Sequence, residues 1–204
     1  MTLLYMILYN MFGNGGVTLQ VIFGIIAGIF VFVAYVLYAR AILEGSTRPN
    51  RMTWFIIAIE SWILLLTYWY SGADTTIWVP VGEALVVSIV AVLSVKRGVG
   101  GTQKTDVICL VGAVLSLFLW WFFNSSVVGL IAGLSVDTFA LYPTIKKSWK
   151  KPRQENQFAW DLTQVGNSFN LLAINQFTLG VMLYPVWRFV LDGIVIYELH
   201  RKRN

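Results

Sequence analysis

The sequence predicts an all-α integral membrane protein with seven transmembrane helices, arranged as two parallel three-helix repeats joined by a linker helix. The 204 residues are 57% hydrophobic and only 12% charged, whereas soluble domains carry about 25% charged residues. The apolar residues form seven runs of membrane-spanning length, and the basic residues collect in every second gap between those runs. A third observation is that the two halves of the chain match at a fixed offset.

This offset is 105 residues. Val79-Pro-Val-Gly-Glu83 corresponds to Tyr184-Pro-Val-Trp-Arg188, and Gly24-Ile-Ile-Ala-Gly28 corresponds to Gly129-Leu-Ile-Ala-Gly133. A register kept over so much of the chain predicts an internal duplication. Within it, Glu83 and Arg188 occupy equivalent positions with opposite charges.

The first repeat covers residues 17–97 and follows an outer N-terminal segment, residues 1–16. That segment is too short to span a bilayer, so it either lies along the interface or extends the first helix. The three spans are 17–38, which is uncharged, 52–70, which carries Glu60, and 78–95, which carries Pro80 and Glu83.

Residues 98–123 form a glycine-rich loop and the linker helix, and residues 124–204 form the second repeat. Its spans are 127–145, with Asp137 and Pro143, then 157–175, the most polar span, and 177–197, with Arg188. A basic tail follows.

Loop charge sets the orientation. Loops with Lys and Arg alternate with loops that lack them, which predicts an outside N-terminus and a cytoplasmic C-terminus in a plasma or inner membrane. The linker helix returns the chain to the outer face, so the two repeats run parallel and are related by an axis along the membrane normal.

Five acids and one arginine lie within the predicted spans: Glu60, Glu83, Asp137, Asp161, Asp192 and Arg188. An ionised side chain at this depth costs at least about 2.5 kcal/mol, so such residues indicate a functional site. The surplus of acids suits proton or cation coupling, for which Glu60 and Asp137 are the candidates. Alternatively, Asp161 stays hydrated near the interface and Asp192 only satisfies Arg188, one turn away.

Glu83 and Arg188 should lie level with each other if the repeats are related by an axis along the membrane normal. We therefore expect them to line a central cavity and either bridge directly or hold a polar substrate, and a charge-swapped pair should recover part of the loss caused by either single change. The other predicted substrate-binding residues are Asp192, Asn167, Asn170 and Trp187. Pro80, Pro143 and Pro185 are predicted hinges, because each proline removes a helical hydrogen bond and kinks the preceding turn.

Enzyme chemistry finds no support in the sequence. His200 and Cys109 are the only residues of their types, and no metal-ligand spacing, nucleophile motif or cofactor motif is present. The basic residues lie in loops rather than on one basic face, which argues against nucleic-acid binding. The expected partners are the lipid bilayer and a small-molecule substrate, and a homo-oligomer is compatible with the pattern.

Residues 129–147 carry a resemblance to a known family. Gly129-Leu-Ile-Ala-Gly133 leads through Asp137 to Tyr142-Pro-Thr-Ile-Lys-Lys147, which resembles the helix ending in Pro-Gln of the PQ-loop superfamily, with its SWEET and SemiSWEET sugar transporters and cystinosin-like exporters. Thr144 replaces the glutamine, and Tyr38-Ala39 stands at the equivalent place in the first repeat. The resemblance implies a hinge at Pro143 and a polar face at Asn167 and Asn170.

These features together predict a small-solute transporter that works by alternating access and is compatible with proton coupling. The alternative is a non-transporting membrane receptor or assembly protein of the same fold, since the superfamily also includes receptors. A transporter should contain a wet polar cavity at mid-depth, whereas a receptor or scaffold should have a closed core.

Overall fold

The computed structural model describes residues 18–45, 51–98, 104–150 and 157–201, and this part of the chain is entirely helical apart from short connections. The predicted outer segment 1–16 and much of the predicted loops lie outside the described residues. The seven helices of the described part are α1 (Leu19–Leu43), α2 (Arg51–Tyr70), α3 (Trp78–Arg97), α4 (Lys104–Phe123), α5 (Ser126–Lys150), α6 (Gln157–Leu172) and α7 (Leu179–Arg201).

The helices follow the hydropathy of the sequence closely. Three of them, α1, α3 and α7, are long and apolar enough to cross a membrane, and the apolar stretches of α2, α4 and α5 are shorter. Helix α6 ends at Leu172 rather than at the predicted residue 175. Asn175 lies in the connection that follows, where its Nδ2 atom donates a hydrogen bond to Asp74 Oδ2 (3.0 Å).

The helices pack in two similar triplets. In the first triplet α3 packs against both α1 and α2, and in the second triplet α7 packs against both α5 and α6. Between the triplets, α1 packs against α6 and α2 packs against α5, so the first helix of one triplet contacts the second helix of the other. The remaining helix, α4, lies against α5 and α2.

Glycines allow α1 to approach its neighbours closely. A Cβ atom on Gly24 would lie 1.8 Å from the carbonyl oxygen of Thr75, and one on Gly28 would lie 2.8 Å from the carbonyl oxygen of Trp78. Both obstacles are backbone atoms, which cannot rotate away as a side chain can. The equivalent Gly133 of α5 faces only the end of a leucine side chain, Leu64, at 3.1 Å.

One end of the bundle is fastened by a cluster that we name the loop latch, formed by Asp74, Thr75, Ala173 and Asn175. Besides the Asp74–Asn175 bond, Thr75 Oγ1 donates to the carbonyl oxygen of Ala173 (2.5 Å). Nearby, the Tyr68 hydroxyl donates to the carbonyl oxygen of Val181 (2.7 Å). The latch therefore joins the α2–α3 connection of one triplet to the α6–α7 connection of the other.

At the opposite end the basic side chains form contacts within one triplet. Arg97 of α3 donates to the carbonyl oxygen of Leu43 at the end of α1. In the second triplet, His200 of α7 is 2.8 Å from Gln157 of α6, and the Arg201 guanidinium lies 4.3 Å from the ring centre of Trp149 on α5. Neither group of contacts joins the two triplets.

The three predicted hinge prolines have different surroundings. Pro80 lies in the first turn of α3. Backbone N–H groups in a first turn have no partner within the helix, so a proline there removes no helical hydrogen bond. The kink expected one turn before Pro80 would fall ahead of the first residue of α3. Pro185 lies inside α7, because α7 begins further upstream relative to the repeat than α3 does. Pro143 lies within α5, but its side chain is outside the described part of the chain.

Candidate functional site

Arg188 lies at the centre of a buried ion network in the middle of α7. Its Nη2 atom is 3.0 Å from Glu83 Oε1 of α3, and its Nη1 atom is 3.0 Å from Asp137 Oδ2 of α5. Asp192, one turn further along α7, is 3.8 Å from Nη2. The direct contact that the sequence predicts between Glu83 and Arg188 is thus present, and Arg188 also contacts two further carboxylates.

Glu83 accepts two more hydrogen bonds, both from tyrosines. The Tyr35 hydroxyl of α1 donates to Oε1 (2.8 Å), and the Tyr184 hydroxyl of α7 donates to Oε2 (3.0 Å). Tyr184 is fully buried and stacks on Tyr68, with 4.8 Å between ring centres. The Glu83 carboxylate is therefore the best satisfied of the buried acids, with three donors from two helices.

Asp192 and two asparagines form the side of the network that faces α6. Asn167 Nδ2 donates to Asp192 Oδ2 (2.8 Å). Asn170, one turn along the same face, is fully buried. Four polar atoms of these side chains have no hydrogen-bond partner among the described residues: Asn167 Oδ1, Asp192 Oδ1, and both Oδ1 and Nδ2 of Asn170. Buried polar atoms without partners are uncommon in native structures and need an explanation.

Glu60 of α2 adds a fourth acid. Its side chain is 4% exposed, and its Oε1 atom has no hydrogen-bond partner within the described part of the chain. It interacts electrostatically with Asp137, Glu83 and Arg188. The core thus contains four carboxyl groups and one guanidinium, a formal charge of −3 if all are ionised.

Two predicted residues lie elsewhere. Asp161 is 41% exposed at its side chain and 3.7 Å from His200, so the alternative in which this acid stays hydrated is the one that the structure favours. Trp187 is partly buried and donates from Nε1 to Thr138 Oγ1 of α5 (2.9 Å). Its polar atom is thus engaged in holding α7 against α5.

Sequence reasoning missed Tyr35 and Tyr184 as members of the site. Each lies inside an apolar run, where an aromatic side chain is more often part of the core. Depth was a signal for Tyr184, because a tyrosine in mid-span must find a hydrogen-bond partner for its hydroxyl. It was no signal for Tyr35, which lies near the end of the predicted span 17–38, where a tyrosine suits the interface.

The core around Arg188 is closed in this structure, so Glu83 and Arg188 bridge directly and do not line the central cavity that the sequence predicts. Arg188 is 6% exposed and Asp192 is fully buried. Two open apolar grooves on the surface lie away from it: one is between α4 and α5, beside Cys109 and Val136, and the other is on α3 around Ile89.

Arg188 and its three carboxylate partners make up the charged part of the site. Among the described residues, no three His, Cys, Asp or Glu side chains are placed to hold a metal ion. The three carboxylates within reach of Arg188 come from three helices, α3, α5 and α7, so one guanidinium offsets negative charge on all three. No family model, curated protein or solved structure matches the chain.

Proposed function

We propose that the chain is a multi-pass membrane protein of seven spans, built as two parallel three-helix repeats, and that it moves a small solute across a plasma or inner membrane by alternating access. Its proposed relatives are the PQ-loop proteins. The observation that carries the proposal is the buried ion network around Arg188, to which five helices, α1, α3, α5, α6 and α7, supply hydrogen-bonded groups.

The exterior supports membrane insertion. On α4 a run of large apolar side chains is exposed, including Val111 at 61%, Val114 at 59% and Trp121 at 77%. A soluble protein rarely presents so large an apolar surface to water. The same surface against lipid needs no further partner, because the acyl chains solvate it.

The energetics of the core support a functional role for its charges. Replacing a buried ion pair by apolar side chains is often neutral or stabilising, so stability alone does not explain why a core retains Glu60, Glu83, Asp137 and Asp192 around Arg188. In a membrane protein, ionisable residues at depth line solute or proton pathways by default. Proton coupling through Glu60 and Asp137 follows from this surplus of acids.

The loop latch supports a particular conformational state. By the orientation that loop charge predicts, Asp74 and Asn175 lie on the outer side, so the latch closes the outer end across the two repeats. Arg97, His200 and Arg201, which lie at the cytoplasmic end by the same orientation, bond within one repeat, so separating the repeats there would leave these contacts intact. The structure then corresponds to a closed state from which the cytoplasmic end opens.

The second candidate is a non-transporting receptor or assembly protein, and the closed core favours it. Asp192 and Asn170 are fully buried, and in a receptor or assembly protein the network would fix the relative positions of the helices. In that case the core would stay closed at all times, and the charges would specify packing.

Uptake by proteoliposomes separates the two candidates. Radiolabelled sugars, amino acids, organic acids and amines would each be added outside the liposomes, with and without a pH gradient across the membrane, and the label that accumulates inside would be counted. We expect one class to accumulate, and accumulation to stop in Arg188→Gln but not in the control Asp161→Asn, an exposed acid outside the network.

The latch provides an internal test of alternating access in the same liposomes. Cysteines at Asp74 and Asn175, joined by a short bifunctional thiosulfonate in a Cys109→Ala background, should stop uptake, and reduction should restore it. Folded protein that accumulates no member of the panel under any gradient would favour the receptor or assembly protein.

A further inference from the structure

The face of the core between α6 and α7 is rich in hydrogen-bond acceptors that have no donor. Asn167 and Asn170 lie three residues apart on α6, and Asn167 Nδ2 donates to Asp192 Oδ2 on α7 (2.8 Å). The three side chains are 1%, 0% and 0% exposed. Within the described part of the chain, one oxygen of each of them has no hydrogen-bond partner.

Donors are scarce at the same place. The only other polar side-chain atom of these three residues without a partner, among the described residues, is Asn170 Nδ2. Exchanging the oxygen and nitrogen of an asparagine amide does not alter this balance for Asp192, whose unpartnered atom is a carboxylate oxygen. On these three side chains, three acceptors therefore face one donor, and the ion network around them adds one further buried donor without a partner among the described residues, Arg188 Nε. The region already has a surplus of negative charge.

We propose that Asp192, Asn167 and Asn170 form a binding site for a protonated amine, as the free ammonium ion or as the –NH₃⁺ group of a larger solute. An –NH₃⁺ group carries three N–H donors and the free ammonium ion carries four, and neither has an acceptor, which suits three oxygens that lack donors. The positive charge of the amine offsets part of the negative charge that remains after Arg188 has neutralised one of the four carboxylates. An anionic solute would meet four carboxyl groups and is excluded by repulsion.

The inference rests on the proposed function in one respect: the solute reaches the core only if the core opens. It adds the chemical class of the solute, and it assigns the three side chains a role in recognition. Glu83 and Asp137 remain paired with Arg188 and take no part in the proposed amine site.

Binding is tested on the purified protein in detergent, by thermal unfolding at constant ionic strength. The probes are ammonium chloride, methylammonium chloride and putrescine dihydrochloride, compared with sodium chloride and sodium acetate. We expect a saturable rise in Tm with the amines, of about 5–10 °C at a hundredfold excess over Kd. A response to ammonium alone identifies the free ion, and a stronger response to putrescine identifies an amine on a larger solute.

Asn170→Leu distinguishes recognition from structure. Because the Asn170 amide has no partner in the structure, leucine should leave the Tm of the unliganded protein unchanged or higher, yet weaken amine binding about tenfold or more through the lost hydrogen bond to a charged group. The matched control is Asn175→Leu, which loses the bond to Asp74. This variant should lower the Tm and keep the amine response.

The proposal fails if no amine raises the Tm beyond sodium chloride, if acetate raises it, or if Asn170→Leu responds to amines as the unmodified chain does. Equilibrium binding does not require transport. A clear amine response without amine uptake by proteoliposomes would therefore contradict the proposed function and leave the amine site intact, whereas uptake of another solute class without an amine response would do the reverse.

Discussion

Removing Arg188 should be far more damaging than removing any one of its partners. Arg188→Gln leaves Glu83, Asp137 and Asp192 buried around a neutral side chain, and a stranded charge of this kind costs about 3–5 kcal/mol. Glu83→Gln keeps an acceptor oxygen for one tyrosine and lowers the negative surplus by one, so we expect about 1.5–3 kcal/mol, the worth of a hydrogen bond to a charged group.

The two changes should not be additive. Once Arg188 is gone, converting Glu83 to glutamine removes one of the repelling carboxylates, so the double variant should be more stable than the sum of the single losses by about 0.5–3 kcal/mol. The charge swap expected from the sequence to recover stability should instead fail. A glutamate at position 188 would face Asp192, which the sequence indicated, and also Asp137, a contact that the sequence did not indicate.

The assay is unfolding by sodium dodecyl sulfate from a mild detergent, followed by tryptophan fluorescence. Asp161→Asn serves as the control, since this acid is exposed and outside the network. The reasoning is refuted if Arg188→Gln is as mild as Asp161→Asn, or if the double variant loses the full sum of the single changes.

Two further predictions concern packing and orientation. Gly28→Ala should destabilise the protein by about 1–3 kcal/mol, because the added methyl meets backbone, whereas Gly133→Ala should be tolerated, because it meets the movable end of a side chain; comparable stabilities in the same unfolding assay would contradict this. Cysteines at Asp74 and Asn124 should react with impermeant thiol reagents from outside and one at Lys150 should not, and the opposite labelling would overturn the orientation.

Hydropathy alone predicted the positions of the helices well, because each span is a long apolar run bounded by turn residues or charges. The duplication then predicted the contact between Glu83 and Arg188, since equivalent positions in two similar triplets lie at matching places along α3 and α7. Both inferences depend on distances along the chain, which a sequence records directly.

The other partners of Arg188 could not be predicted in this way. Whether Asp137 faces α7 depends on the rotation of α5 about its axis, and a helix with apolar residues on most sides does not specify that rotation. The tyrosine partners of Glu83 could not be predicted for the same reason, since the rotations of α1 and α7 decide whether Tyr35 and Tyr184 face it. Two bonds at and beside the loop latch escaped prediction for another reason: Thr75 of the latch and the nearby Tyr68 donate to backbone carbonyl oxygens, which every residue carries.

The most direct test of the account is whether water reaches the core. A cysteine at Asn170, in a Cys109→Ala background, can be probed with an impermeant thiol reagent in right-side-out and inverted vesicles, with a cysteine at Asp74 as the accessible outer control. We predict reaction at position 170 from the cytoplasmic side, unaffected by a cross-link that fastens the latch. Protection of position 170 from both sides, while position 74 reacts, would contradict alternating access and leave the buried charges a purely structural role.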